Sequence, residues 1–358
     1  MNILSKARNI YDMYSASPPN MVIWAITSNC NLHCRGCSFP KEKVKHNVKF
    51  EDIAKAVAFF RKNNVRMVAL TGGEPLIYPH LEEILMQLKK EKIVVGYIAT
   101  NGTLLTQEKA RMLAKYDVNI IGLSVNLDYF LLTGKKREQE TERIRKVTRL
   151  LKDSKINFYG GVILSKVTKD VRKTCSIMQS LGIDCISFSY PQLEQKSSYR
   201  AASDDELLDL TRKEADSIVR QIRQIKREGK VKVYNTFQSL DEFERYYQGK
   251  EMMFGCMAGR RMFYLDWDLD LYKCFTLPKK IGNLSKVRRL PECNADCKKC
   301  LQHAFKDPSI FYHAIEGAYG VRDSMFSARF GTAARIASSK NSVNSGKALI
   351  EIATSPFI

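Results

Sequence analysis

Long apolar runs are missing from this chain. No stretch reaches the roughly 18 consecutive apolar residues of a membrane-spanning helix. The N-terminal MNILSKARNIYDMYSAS is amphipathic but has neither the apolar core nor the small-residue cleavage site of a secretion signal. A cytoplasmic location is therefore expected. Acid is in deficit: 38 Asp and Glu stand against 58 Lys and Arg, leaving a net charge of +20. That imbalance favours anionic partners, either a polar or anionic small molecule or a membrane surface touched peripherally. It argues little for nucleic acid, because the basic residues are spread along the chain and accompany no recognisable binding module. There is no Ser–His–Asp arrangement and no GxxxxGK phosphate loop. Gly72-Gly73 is no substitute for one, since the acid that follows would repel phosphate.

Cysteine, by contrast, is abundant and unevenly placed. Eight of ten fall in two groups, at positions 30 to 37 and 256 to 300. Grouped cysteines without a secretion signal read as metal ligands rather than disulfide partners. Cys175 and Cys185 lie between the groups within apolar patterns, which suits core packing.

The first two thirds of the chain alternate strand-like and helix-like stretches. Candidate strands are Met21–Thr27, Arg66–Leu70, Val94–Thr100, Asn119–Val125, Asn157–Leu164 and Cys185–Tyr190. Between them lie amphipathic stretches at Phe50–Asn63, Pro79–Lys90, Thr106–Lys115, Gln139–Leu151 and Asp170–Leu181, and a long polar helix pattern, Ser203–Glu228, follows. Six βα units predict an α/β fold, a partial (β/α)6 TIM-like barrel of parallel strands wrapped by helices, with reactive groups at the carboxyl ends of the strands. A short strand pattern at Val231–Tyr234 opens a small cysteine-rich C-terminal domain. The expected division is an amphipathic segment (1–17), the partial barrel (18–230), the small domain (231–305) and an extension (306–358). That extension is rich in Ser, Ala and Gly and is expected to be partly disordered or to cap the barrel.

Cys30-x3-Cys34-x2-Cys37, in SNCNLHCRGC, supplies three thiolates to a four-iron cluster and leaves the fourth iron open to a small molecule. Alone, three close cysteines also suit zinc, or a cluster closed by a ligand elsewhere. The spacing resembles that of the radical S-adenosylmethionine (radical SAM) enzymes, and Thr71-Gly72-Gly73-Glu74-Pro75 after the second strand looks like their GGEP motif. The resemblance covers about residues 18 to 190. It implies that Cys30, Cys34 and Cys37 hold a [4Fe-4S] cluster whose open iron is chelated by S-adenosylmethionine (AdoMet). Glu74 and nearby backbone oxygens would receive the methionine ammonium, with Gly72, Gly73 and Pro75 shaping the turn. Asn101 and Ser124 end the third and fourth strands, where the family sets polar groups against AdoMet, and Asn126 or Asp128 would share that work. For Ser124 a hydroxyl bonded to the backbone is the alternative. Gly161 and Ser165 mark the fifth strand near adenine. Where the family has an aromatic residue before the third cysteine this chain has Gly36, and Phe39 is the residue expected to fill the space.

The second cysteine group resembles the SPASM or twitch auxiliary-cluster extension of that family. Cys256, then DWDLDLYKC ending at Cys274, then Gly282-Asn283-Leu284 carry the likeness, although Leu269 stands where the family often has glycine. Cys256, Cys274, Cys297 and Cys300 are the expected ligands of a second [4Fe-4S] cluster, with Cys293 as a spare. Zinc is the competing occupant. Arg260, Arg261 and Tyr190 are candidate substrate contacts, with Lys273 and Tyr199 as looser ones. His33 and His303 read as neighbours of the metal sites rather than ligands. An external electron donor such as flavodoxin or ferredoxin is implied. The expected reaction is reductive cleavage of AdoMet and hydrogen abstraction from a polar metabolite or natural-product intermediate. The alternatives are a peptide-modifying enzyme, an enzyme acting on a lipid-linked anionic substrate, and an iron–sulfur electron carrier.

Overall fold

The computed structural model describes residues 18–35, 37, 39, 44–191, 205–291, 297–298, 300–327 and 329–353. Gly36, Tyr199, Cys293 and the amphipathic segment 1–17 lie outside them. Ten strands form one sheet. Seven come from the barrel half: β1 (Asn20–Thr27), β2 (Val65–Gly72), β3 (Val94–Thr100), β4 (Ile121–Ser124), β5 (Phe158–Ile163), β6 (Cys185–Ser189) and the two-residue β7 (Lys232–Val233). Three follow: β8 (Met262–Leu265), β9 (Asp270–Tyr272) and β10 (Lys280–Asn283). Their order is β10-β9-β8-β1-β2-β3-β4-β5-β6-β7. All pairs from β8 to β7 are parallel, and only β8–β9 and β9–β10 are antiparallel. The protein is thus an α/β fold with a partial parallel barrel extended by a hairpin. β1 is buried along nearly its whole length, as expected of a parallel strand covered on both faces. Its other neighbour is β8, so the second cysteine region is hydrogen-bonded directly to the strand that leads into the first cysteines.

The helices cover the outside. They are α1 (Phe50–Lys62), α2 (Leu81–Lys90), α3 (Gln107–Lys115), the short α4 (Leu127–Leu131), α5 (Gly134–Asp153) and α6 (Val171–Ser180), followed by α7 (Arg212–Glu228) and α8 (Phe237–Tyr247). The long pattern beginning at Ser203 yields a helix only from Arg212, because Thr211 and Glu214 form a reciprocal capping box that fixes the start. Gly229, at φ +67°, ends it in the left-handed conformation that favours glycine.

The extension carries more order than its composition suggests. Residues 303–353 fold into α9 (His303–Phe326), α10 (Phe330–Ser338) and α11 (Lys340–Ala353). Small residues bring these helices together: a Cβ added to Gly320 would lie 3.2 Å from Ile336, and one added to Gly317 would lie 2.9 Å from the Ser342 hydroxyl. A buried ion pair ties α9 to α8, with Lys306 Nζ 2.7 Å from Glu242 Oε2. Lys306 also donates to the Phe254 carbonyl, and Glu242 accepts from the Met253 amide at 2.7 Å. With both charges also hydrogen-bonded to backbone, burial of the pair is tolerated.

Candidate active site

Every polar motif of the barrel half sits just past the carboxyl end of a parallel strand, and so at one end of the sheet. β1 feeds the cysteine loop and β2 feeds the GGEP turn. The two turns are locked together. Gly73 N donates to Thr27 O at 2.8 Å, and Glu74 N donates to Asn29 O at 2.7 Å. A Cβ on Gly72 (φ +135°) would fall 2.1 Å from Thr27 O, and one on Gly73 would fall 2.1 Å from Asn29 O. Both glycines are therefore required for the backbone of β2 to cross that of the cysteine loop.

Glu74 is 1% exposed and fully engaged within the protein. Its Oε1 accepts from the Thr100 hydroxyl at 2.7 Å and from Leu76 N at 3.0 Å, while Oε2 accepts from Asn101 N at 2.7 Å. Burial pushes its carboxyl up, and these donors oppose the rise. The side chain thus ties the GGEP turn to the end of β3.

Two amides reach the cysteine sulfurs. Asn101 Nδ2 lies 3.9 Å from Cys30 Sγ and donates to Asn31 Oδ1 at 3.0 Å, whereas Asn126 Nδ2 donates to Cys34 Sγ at 3.1 Å. Asn126 also caps α4 through Tyr129 N. Asp128 receives the Arg35 amide at 2.9 Å, and the Arg35 guanidinium pairs with Asp205. The loop is held from three strand ends. Burial pushes the Cys34 thiol up to about 12, the nearby Cys37 adds to the rise, and the Asn126 amide opposes it. Among the described residues no three Cys, His, Asp or Glu side chains gather closely enough to hold a single metal ion. A single ion draws its thiolates to within about 4 Å of each other, whereas a cluster of four irons holds them farther apart. Three thiols on one loop with amide donors at two of them fit a cluster's donor set.

Other predicted residues take varied places. Ser124 is exposed at the end of β4 and faces the same side of the sheet as Gly161, its register partner. Ser165 is fully buried, and its hydroxyl is engaged by Thr168 and by the amides of the turn after β5. Phe39 is buried edge-on against Trp267, at 6.3 Å between centroids. Tyr190 stacks on Phe243 at 4.8 Å and donates to Ser239 O at 3.0 Å. Arg260 and Arg261 both pair with Glu316 of α9, each at 2.8 Å. Cys175 and Cys185 are buried.

The second cysteine group converges from separate segments. Cys256 N donates to Cys297 O at 3.0 Å. The thiols of Cys297 and Cys300 are hydrogen-bonded to one another, Cys256 is an electrostatic neighbour of Cys300, and Cys274 is one of Cys256. The Cys297 contact and burial push the Cys300 thiol up. Leu269, at the position where the related motif has glycine, adopts φ +59°. The turn keeps a glycine-like backbone there without the glycine.

Some residues of the interior were not foreseen. Tyr97 and Tyr159 stack at 5.9 Å, and Tyr159 and Tyr234 at 5.0 Å. Gly160 backs onto Met178 and Ile183, so Tyr159 points to the opposite, inner face; Gly122 leaves room for the Tyr97 ring. Burial pushes all three phenols up. Nearer the strand ends the same face is open at Ser124 and Ile163. Asp307 lies one helical turn past His303, with Oδ2 3.4 Å from His303 Nδ1, and its buried Oδ1 has no hydrogen-bond partner. Burial pushes the Asp307 carboxyl up, while His303 and Lys306 oppose the rise. The only signal for it in the sequence is the i, i+4 spacing to a histidine just after Cys300.

A family model described as the radical SAM superfamily matches residues 24–176. The match is to that stretch, less than half of the chain, and the superfamily it resembles implies AdoMet and a four-iron cluster as the cofactor system. Among curated relatives, a probable GTP 3',8-cyclase of Methanococcus vannielii is 30% identical over 167 residues, 43% of this chain and 56% of that one. The GTP 3',8-cyclase of Aquifex aeolicus is 35% identical over 108 residues, 28% of this chain and 33% of that one. The chain spans about half the length, or less, of the curated relatives it matches. Among solved structures, anSMEcpe with bound AdoMet aligns at TM-score 0.57 and 18% identity, covering 80% of this chain and 83% of that one. Streptococcus suis SuiB bound to its precursor peptide SuiA aligns at TM-score 0.56 and 16% identity, covering 79% and 67%. Those two alignments carry the fold, and each covers more of the chain than the family model does; the cysteine-rich region resembles SPASM/twitch auxiliary-cluster domains.

Proposed function

We propose that this chain cleaves AdoMet reductively and uses the resulting radical to modify a peptide. The observation that carries the first part is the lock between the cysteine loop and the GGEP turn, through Gly73 N–Thr27 O and Glu74 N–Asn29 O. Support for a peptide comes from the solved structures with bound peptides, which share the fold over 75–79% of this chain. Sequence likeness to the cyclases stays within less than half of it. These findings support a peptide better than the small polar metabolite expected from sequence.

Cys30, Cys34 and Cys37 would hold the first cluster, and Cys256, Cys274, Cys297 and Cys300 a second. Loaded together with AdoMet, the first cluster would supply one-electron cleavage of the sulfonium bond. A flavodoxin or ferredoxin would deliver the electron. The chain's own contribution is placement. Asn126 donates to Cys34 and so opposes the rise that burial imposes on its thiol, and Asn101 directs its amide at Cys30. Glu74 holds the end of β3, and with it Asn101, at fixed distance from the loop. The exposed Ser124 and Ile163 offer the inner surface for AdoMet and substrate. Buried Asp307 lies beside Tyr190 and Tyr234.

The test is deuterium transfer. Reduced, reconstituted protein is incubated anaerobically with AdoMet and either the peptide fraction or the small-metabolite fraction of a deuterated cell extract. Deuterium in 5'-deoxyadenosine from the peptide fraction alone is the expected result. Label arriving only from the metabolite fraction would overturn the peptide reading.

A further inference from the structure

The turn joining α9 to α10 presents bulky apolar side chains to solvent. Phe326 is 85% exposed, Phe330 67% and Met325 54%. Hydrogen bonds hold the described residues at this tip. Ser327 N donates to Asp323 O, Arg329 N donates to Ser324 O at 2.7 Å, and Ala333 N donates to Arg329 O. The seam between the helices is already closed by Gly320 against Ile336, so the two phenylalanines fall outside it. In sequence the tip is flanked by Arg322, Arg329 and Arg335, with Asp323 as the one acid between Arg322 and Arg335, itself held by Arg322 at 2.9 Å. No helix among the described residues is long and apolar enough to cross a membrane. A tip of aromatic and aliphatic side chains flanked in sequence by arginines matches the interfacial zone of an anionic bilayer, where rings sit at the acyl boundary and guanidiniums meet the headgroups. A second copy fits less well, because it would bring arginine against arginine on a chain of net charge +20.

We propose that the exposed side chains of Met325, Phe326 and Phe330 dock this protein peripherally on an anionic lipid surface. The test uses the whole chain in flotation assays with phosphatidylcholine vesicles, with and without phosphatidylglycerol. Binding to the anionic vesicles, weakened by salt, is expected. Phe326→Glu/Phe330→Glu should weaken it at least about tenfold per phenylalanine, and Arg329→Glu/Arg335→Glu should weaken it too. Because these side chains are exposed, the variants should keep the wild-type circular dichroism spectrum and urea midpoint, which separates lost docking from lost folding. Four results would overturn the proposal: no binding to anionic vesicles; binding that survives both double replacements; binding abolished instead by deleting residues 1–17; or a wild-type mass that rises with concentration and returns to monomer in Phe326→Glu/Phe330→Glu, which would assign the tip to self-association.

Discussion

Replacing Gly73 with alanine should separate the two turns on which the site rests. The added Cβ would meet Asn29 O at 2.1 Å, Asn29 C at 2.5 Å and Ser28 O at 2.8 Å, all backbone atoms. No side chain can rotate out of the way, so the end of β2 must move from the cysteine loop. That movement strains or breaks Gly73 N–Thr27 O and Glu74 N–Asn29 O. Overpacking of this kind costs about 1–3 kcal/mol, and each lost hydrogen bond costs about 1 kcal/mol. The expected destabilisation is about 3–5 kcal/mol, a large share of a typical stability of about 5–15 kcal/mol. Urea unfolding at unchanged slope reads the first consequence. Iron and sulfide per chain after anaerobic reconstitution read the second, because the same displacement carries Cys30 and Cys34 out of register. Gly346→Ala is the control: nothing lies within 4 Å of its added Cβ, and in α11 the change should add about 0.5–1 kcal/mol. A Gly73→Ala protein that unfolds at the wild-type urea concentration and loads wild-type iron would refute the close-crossing argument.

Three further outcomes are expected. Lys306→Met strands the buried Glu242 carboxylate and should lower stability by about 3–5 kcal/mol in urea unfolding; a loss below about 1 kcal/mol, the scale of an exposed pair, would mean the pair is not buried as described. Asp266 is nearly buried in the β8–β9 turn, and burial raises its carboxyl from 3.8 to about 7. Since the folded state keeps this proton where the unfolded chain has released it, its contribution is present below about pH 4 and lost as pH rises to about 7, on the order of a few kcal/mol. Asp266→Asn should remove that part of the pH slope of the urea midpoint, and an unchanged slope would count against it. Replacing Cys256, Cys274, Cys297 and Cys300 together with alanine should reduce bound iron by about half if the second group holds its own cluster, while full iron content would show that these four hold none.

Much of the barrel was legible because its strands are short apolar runs bounded by turn residues. β3 has the limits its sequence suggests, Val94–Thr100. The start of α7 was misplaced although its signal was present, since Thr211-Arg212-Lys213-Glu214 is a capping-box sequence. The helices of the extension were hidden by a composition that favours close packing over amphipathic periodicity, as the Gly317–Ser342 and Gly320–Ile336 contacts illustrate. In the site, the cysteine and GGEP runs could be read locally because adjacent strands carry them. Their physical relation could not, since Gly73 meets Asn29 only across strands. The same holds for Asn126 at Cys34, for the capture of Arg260 and Arg261 by Glu316, and for Asp307 beside Tyr190. Each joins residues remote in sequence, and the pairing follows from how helix and strand ends meet in three dimensions.

The most direct measurement is the AdoMet cleavage product. Reduced, reconstituted protein mixed anaerobically with AdoMet should form 5'-deoxyadenosine, and a Cys30→Ala/Cys34→Ala/Cys37→Ala protein with a native circular dichroism spectrum should form none. No product from the loaded wild type, or the same yield from the triple variant, would contradict the account.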